Sequence, residues 1–281
     1  MDASTSAPTP ASAAGTPTPD RPPLDVEELR RALLVGGGLW TAVEVSSTTA
    51  STNADVVAAV AQGAPEGLVV TTEHQTAGRG RLDRRWEAPP RSGLVVSVLL
   101  RPDAVALPQW TWLPLLAGIA VDLTARDCGV ASGLKWPNDV LVDGRKLCGI
   151  LVERAEGPAG AAAVLGIGLN LTLTQEELPV PTATSFALAG AATTDRGVVL
   201  QILLGHLERL YRRWVAGAGD PTLLRADYLE RCVTLGSTVQ VDLPDGSVLR
   251  GRADDVDPLG RLVVAGRAIS AGDVTHVRPA P

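Results

Sequence analysis

Residues 133–171 constrain the fold more than any other stretch. Four short apolar runs, at 133–136, 140–142, 147–154 and 161–171, follow one another there. Asp143-Gly144 supplies a hairpin turn between the second and third, and Gly157-Pro158 breaks the chain before the fourth. That pattern predicts an antiparallel meander. Residues 113–128, which precede it, have helical periodicity and can cover the sheet. At 281 residues the chain can form one domain of ordinary size and a small second one, and a 45% hydrophobic content fills a real core.

Upstream, residues 1–23 are Ala, Ser, Thr and Pro with almost no large apolar side chain, so they are expected to stay disordered, with folding starting near Leu24. Asp25 and Glu28 have capping-box spacing, and Leu29, Leu33 and Leu34 form the stripe of a short helix that stops at Gly36-Gly37-Gly38. Residues 40–45 alternate as a half-buried strand. A Ser/Thr-rich loop then leads into a helix that begins at Ser51 or Thr52 and ends at Gly63. Those two hydroxyls either cap the helix or, with its free N–H groups, face a ligand. Residues 68–74 and 94–101 read as strands that feed and leave a loop. Downstream, residues 195–215 form a long amphipathic helix, and Asp220-Pro221 starts another. From Thr234 the texture changes to short strands at 238–243, 247–253, 261–264 and 274–277, the pattern of a small β-barrel.

The loop between the two strands, Gln75 to Trp86, carries Arg79, Arg81, Arg84 and Arg85 interleaved with Gly78 and Gly80. Glycines let backbone N–H groups turn toward an anion, and four like charges keep such a loop mobile until an anion arrives. A second segment, Leu134 to Ile150, holds Asn138, Asp139 and both lysines of the protein, Lys135 and Lys146, against 23 arginines. In a chain that uses arginine almost everywhere, a compact ammonium does something a planar guanidinium does not. Arginines in one loop, and lysine with a carboxylate in the other, suit a phosphate ester and its metal ion.

Other classes are disfavoured. A net charge of −6 argues against a general nucleic-acid binder. Three cysteines without a Cx2C pair and three scattered histidines give neither a zinc site nor a disulfide framework, and an odd, sparse cysteine count suits a reducing cytosol. With no long uninterrupted apolar run and no basic n-region followed by an apolar core, neither a membrane span nor a secretory signal is expected, and the protein is read as cytoplasmic.

With both loops placed, the chain resembles the biotin protein ligases from about Val43 to its end. The resemblance rests on Ser51-Thr52-Asn53, on Gln75-Thr76-Ala77-Gly78-Arg79-Gly80-Arg81 followed by Arg84 and Trp86, on Lys135-Trp136-Pro137-Asn138-Asp139, on Lys146-Leu147-Cys148-Gly149-Ile150, and on Gly166-Ile167-Gly168-Leu169-Asn170. It implies an α+β fold with a mixed, largely antiparallel sheet packed with helices, like a class II aminoacyl-tRNA synthetase core, at residues 24–233, and an SH3-like barrel at 234–281. The implied reaction joins biotin and MgATP into biotinyl-5′-AMP, then passes biotin to a lysine of a carboxylase's carrier domain. By resemblance, Ser51, Thr52, Asn53, Gln75, Gly78, Arg79, Gly80, Arg81, Lys146 and Gly149 hold biotin. Arg81, Arg84, Trp86, Asn138, Asp139, Lys146 and Asn170 would hold ATP, with Asp139 near Mg²⁺ and Lys146, Arg79 and Arg81 acting at the reacting centre. Partners are then a transient carrier domain, no nucleic acid and no membrane, in a monomer or homodimer. Leu82-Asp83 depart from the Gly or basic residue of many relatives, and an acidic side chain there could pair with Arg84 or Arg85. The winged-helix domain of the repressor-type ligases has no counterpart. A lipoate or octanoyl transferase and a non-enzymatic regulator are the competing readings; the GRGR loop with KWPND disfavours the first, the absent recognition helix the second.

Overall fold

The computed structural model describes residues 20–81, 84–243, 246–270 and 273–276. Residues 1–19 of the expected tail, Leu82-Asp83, Pro244-Asp245, Ala271-Gly272 and everything from Val277 lie outside them.

The packed chain starts upstream of Leu24, a correction to the expected boundary. Arg21 donates from Nε to Thr172 Oγ1 at 2.9 Å and from Nη1 to Glu177 Oε1 at 3.0 Å, so residues 20–23 dock on the domain. Helix α1 (Val26–Leu33) begins where Asp25 Oδ1 accepts from the Glu28 N–H at 2.9 Å. It buries Leu29 and Leu33, whereas Leu34, expected in the same stripe, is its C-cap and exposed. Strand β1 (Ala42–Ser46), helix α2 (Thr52–Ala61) and strand β2 (Leu68–Thr72) follow. The arginine segment contains two short strands, β3 (Gly78–Arg79) and β4 (Arg85–Trp86), ahead of β5 (Gly93–Leu100). Helix α3 (Leu113–Asp127) leads into the meander β6 (Gly133–Lys135), β7 (Asp139–Val142), β8 (Arg145–Gly157) and β9 (Gly160–Asn170). Asp143 and Gly144 both take positive φ, 49° and 73°, as a two-residue hairpin turn requires.

The main sheet runs β1-β2-β5-β9-β8-β7-β6; only β1 and β2 are parallel. It is therefore mixed and largely antiparallel. The two-residue period of its strands decides where the site can be. Val96, Val98, Ala163, Leu165, Ile167, Cys148 and Ile150 turn to the larger core, built with α1, α3, α4 (Arg196–Ala216) and α5 (Thr222–Arg231). Their alternates Leu99, Ala162, Val164 and Ala155 pack with Val56 and Val60 of α2 on the other face. α2 covers only part of that face. The remainder, which includes Ser97, Gly149, Gly166 and Gly168, is the floor of a cleft.

The C-terminal region is a five-stranded antiparallel sheet, β10 (Thr238–Asp242), β11 (Val248–Val256), β12 (Leu262–Val264), β13 (Arg267–Ile269) and β14 (Asp273–His276), in the order β13-β12-β11-β10-β14. Strand β13 is absent from the sequence reading because its turn, Ala265-Gly266, holds an alanine at φ 48° where Asn or Asp would have signalled it. The sheet is clamped to the larger unit through residues 258–260. Trp112 Nε1 donates to Pro258 O and Trp136 Nε1 to Gly260 O, both at 2.9 Å, while Thr111 Oγ1 donates to Leu259 O at 2.7 Å. Val274 thereby reaches the cleft wall.

The three cysteines are buried and unpaired. Burial pushes all three thiols, Cys128, Cys148 and Cys232, above the ordinary cysteine range, so the nucleophilic thiolate is suppressed. Native protein at pH 8 should therefore incorporate no iodoacetamide over a period that fully labels the denatured chain. One thiol labelled at the rate of a free peptide would contradict this packing.

Candidate active site

The cleft has a volume of about 140 Å³ and two chemically distinct ends. At the first, α2 begins with Ser51 as N-cap, its Oγ accepting from the Ala54 N–H at 3.4 Å. The Thr52 N–H donates to Gln75 Oε1 at 3.0 Å, tying the helix start to the chain that enters the arginine segment. Ser51 thus caps the helix and, with Thr52 and Asn53, lines the cleft. Beneath them Ser97, 0% exposed, places Oγ 2.7 Å from Thr52 Oγ1 and 2.6 Å from Asn53 Oδ1. Asn53 Nδ2 donates to Glu153 Oε2 at 2.7 Å. Gly166 makes room for this: a Cβ there would lie 2.1 Å from Asn53 Oδ1. Such a tight cluster of neutral donors and acceptors suits a small polar heterocycle.

The arginine segment forms a hairpin over the cleft. Gly78 pairs with Trp86 and Arg79 with Arg85, and the Gly80 N–H donates to Arg84 O at 2.6 Å. A free, self-repelling loop was expected; two of its charges are instead met by carboxylates, Arg79 by Glu153 at 3.3 Å and Arg85 by Glu87 at 3.6 Å. Arg81 Nη1 lies 3.4 Å from Asn138 Oδ1. The Trp86 ring is the anchor, lying over Gly149 and Gly168, which pair across β8 and β9; a Cβ on Gly168 would come within 2.5 Å of the ring. With only two pairs in its ladder, this hairpin should exchange amide hydrogens quickly alone and slowly once an anionic ligand bridges its arginines. Hydrogen exchange at residues 78–81 and 84–86, with and without biotin and ATP, checks it; equal protection in both states would contradict it.

At the second end, the β6–β7 turn presents Lys135, Asn138 and Asp139, with the Trp136–Pro137 peptide cis. Asn138 is fixed on both sides: Nδ2 donates to Ile150 O at 2.8 Å, and the Ile150 N–H returns to Asn138 O at 2.9 Å. Lys146 owes its direction to an irregularity in the sheet. Val140 pairs with Cys148 but Leu141 with Lys146, so Leu147 is an extra residue; the bulge buries Leu147 and turns Lys146 to the cleft face beside Gly149. Its backbone is held by Thr182 O at 2.7 Å and by the Thr184 N–H at 2.9 Å. Nζ sits 2.6 Å from Asp139 Oδ1, which has no partner in hydrogen-bond geometry, and 5.8 Å from the centre of the Trp86 ring. The contact is an ion pair that a better-aligned acceptor can replace.

Of the residues named from the sequence, Ser51, Thr52, Asn53, Gln75, Arg79, Gly80, Arg81, Arg84, Trp86, Asn138, Asp139, Lys146 and Gly149 line one cleft. Gly78 and Asn170 do not. Gly78 is needed for close approach, since a Cβ would meet Gln75 Nε2 at 2.2 Å. Asn170 is buried outside the lining and donates to Thr184 O at 2.9 Å, which braces the loop that grips Lys146. Ser97 and Glu153 were missed. The signal for Ser97 is a lone hydroxyl in the run Gly93–Leu100.

Among the described residues, six cations (Arg79, Arg81, Arg84, Arg85, Lys135 and Lys146) and one carboxylate, Asp139, line the cleft of a protein whose net charge is −6. Such a cleft concentrates polyanions. Among the described residues no three His, Cys, Asp or Glu side chains cluster as a metal cage. A single carboxylate beside clustered cations fits a Mg²⁺ ion that arrives on a nucleotide and takes few protein ligands.

Residues 42–170 match the Biotin/lipoate A/B protein ligase family, and residues 234–277 match the Biotin protein ligase C terminal domain. The chain is 45% identical over 267 residues to the biotin--[acetyl-CoA-carboxylase] ligase of Mycobacterium tuberculosis, covering 92% of this chain and 97% of that one. It is 33% identical over 207 residues to the bifunctional ligase/repressor BirA of Bacillus subtilis, covering 72% of this chain and 62% of that one. The solved biotin protein ligase of Aquifex aeolicus, in complex with biotin and ATP, superposes with a TM-score of 0.70 at 24% identity, covering 85% of this chain and all of that one. The chain belongs to the biotin protein ligase family.

Proposed function

We propose that this protein is an ATP-dependent biotin ligase, which activates biotin as biotinyl-5′-AMP and transfers it to a lysine of a carboxylase's biotin carboxyl carrier domain. The observation that carries the reading is the position of Lys146. Its ammonium stands between a neutral hydrogen-bonding pocket at the start of α2 and a cluster of arginines, where a carboxylate and an α-phosphate would meet.

Biotin's ureido ring takes the pocket of Ser51, Thr52, Asn53 and Gln75; Gly166 leaves room for the Asn53 side chain that shapes it, and Gly149 and Gly168 for the Trp86 ring beside it. Arg79, Arg81 and Arg84 balance the triphosphate, Trp86 packs on adenine, and Asn138 and Asp139 lie at the nucleotide with Asp139 toward Mg²⁺. A biotin carboxylate oxygen attacks the α-phosphorus, the bond to the β-phosphate oxygen breaks, and pyrophosphate leaves. Lys146 stabilises charge building on both partners. In the second step a neutral lysine amine of the acceptor attacks the acyl carbonyl, AMP leaves, and the amine proton passes to solvent. Residues 20–233 form the catalytic domain and 234–281 a domain whose five strands close as an SH3-like barrel. The protein acts in the cytoplasm.

Incubation with biotin, ATP, Mg²⁺ and a carrier domain is expected to put a streptavidin-detectable label on one acceptor lysine, and EDTA in excess of Mg²⁺ to prevent it. Labelling with lipoate in place of biotin would favour the lipoyl-enzyme reading.

A further inference from the structure

Glu153 lies on β8 opposite Val164 of β9, and its two oxygens reach different elements. Oε2 accepts from Asn53 Nδ2 at the start of α2, 2.7 Å away, and Oε1 from Arg79 Nη2 in the hairpin, at 3.3 Å. An ionised carboxylate accepts and never donates, so the edge of Asn53 turned toward it is the NH₂ edge, and Oδ1 faces Ser97. Ser97 Oγ has one proton and two neighbours, Asn53 Oδ1 at 2.6 Å and Thr52 Oγ1 at 2.7 Å. Asn53 Oδ1 has no proton to give. Ser97 therefore donates to it and receives the proton of Thr52, for which Ser97 Oγ at 2.7 Å is a nearer acceptor than Gln75 Oε1 at 3.4 Å; the Thr52 oxygen is left as an acceptor toward the cleft. One carboxylate orients three side chains.

We infer that Glu153 is a positioning residue, which fixes the donor–acceptor polarity of the biotin headgroup pocket and latches the arginine hairpin beside it through Arg79. The inference rests on the biotin-ligase reading and deepens it: a ureido N–H is met by Thr52 as acceptor. ATP, at the other end of the cleft, meets this carboxylate only through Arg79 at 3.3 Å, whereas the headgroup pocket meets it through Asn53 at 2.7 Å.

Steady-state adenylation by Glu153→Gln tests it. A glutamine can satisfy Asn53 or Arg79 with its oxygen but must turn an NH₂ group toward the other, so a charge-assisted bond is lost. The biotin KM should rise about 10- to 100-fold and the ATP KM, which feels the change only through Arg79, by less than about fivefold. In the doubly substituted Asn53→Asp/Glu153→Gln chain, the introduced amide donates to the introduced carboxylate, which still accepts from Ser97. Its biotin KM should recover by at least about tenfold relative to either single variant, a coupling that a merely structural role would not give. A biotin KM for Glu153→Gln within about threefold of wild type, an equal rise in both KM values, or additive singles would overturn the inference. Should Glu153→Gln not fold, the double variant against Asn53→Asp, which sets two carboxylates 2.7 Å apart, carries the same comparison. Wild-type protein without biotin-dependent activity would sink the functional reading itself; an active wild type with an unchanged Glu153→Gln KM sinks this inference alone.

Discussion

Lys146→Arg is expected to slow biotinyl-adenylate formation by roughly 10²- to 10³-fold, nearly as much as Lys146→Ala, because loss of one transition-state contact costs about 3 to 4 kcal/mol. Charge is not what the arginine lacks. Lys146 projects from a bulge into a space bounded by Asp139 at 2.6 Å and the Trp86 ring at 5.8 Å, and a Cβ on Gly149 would lie 3.2 Å from Nζ. A planar guanidinium is bulkier than the ammonium it would replace there. It also holds its donors in a fixed fork, whereas an ammonium can turn its three protons from Asp139 to a carboxylate and an α-phosphate as the bond forms. Transfer from pre-formed biotinyl-adenylate should fall less, since the activated bond already exists. Single-turnover kinetics of the two half-reactions separates these effects. An arginine variant that retains more than about a third of wild-type adenylation, under 1 kcal/mol of barrier, would reduce Lys146 to a generic cation.

Gly166→Ala is expected to weaken biotin binding roughly 10²-fold, about 3 kcal/mol, while ATP binding changes little. The added methyl would sit 2.1 Å from Asn53 Oδ1. Asn53 cannot step aside cheaply, because Ser97 and Glu153 hold its two ends at 2.6 and 2.7 Å and its backbone lies in the first turn of α2. Displacing it breaks both bonds and re-aims Thr52 through Ser97. Gly168 makes a useful contrast. Its missing Cβ faces the Trp86 ring on the short hairpin, which can lift, so Gly168→Ala should fall more on the nucleotide than on biotin. Calorimetric titration of each variant with biotin checks the pair; an unchanged biotin Kd in Gly166→Ala would mean that Asn53 is not held as described.

What the sequence made legible follows from how local each signal is. The meander β6 to β9 could be read because its turn chemistry lies inside the run it divides, and both halves of the cleft could be read as charged or glycine-rich segments. Ser97 and Glu153 could not. Each is a single polar residue in a strand, and its meaning comes from partners 44 and 100 positions away, Asn53 in both cases. Asn170 holds a contact that its motif does not announce: its amide donates to Thr184 O, and that partner comes from a loop outside the Gly166-Ile167-Gly168-Leu169-Asn170 run. Leu34 fits a helical stripe, yet the helix ends one residue earlier, and beyond the end the period no longer applies. The hairpin's order was hidden for an electrostatic reason. Arginine repulsion is visible in Arg79, Arg81, Arg84 and Arg85, whereas the relief that Glu153 gives to Arg79 comes from another strand.

The central claim is that one cleft joins biotin to ATP before any acceptor is present, and exchange of labelled pyrophosphate into ATP tests it most directly. With Mg²⁺ and no carrier domain, the wild-type protein should exchange label only when biotin is supplied, and Lys146→Ala should exchange at most about one hundredth as fast. Exchange that proceeds equally without biotin, or none at all from folded protein given biotin, would contradict the account.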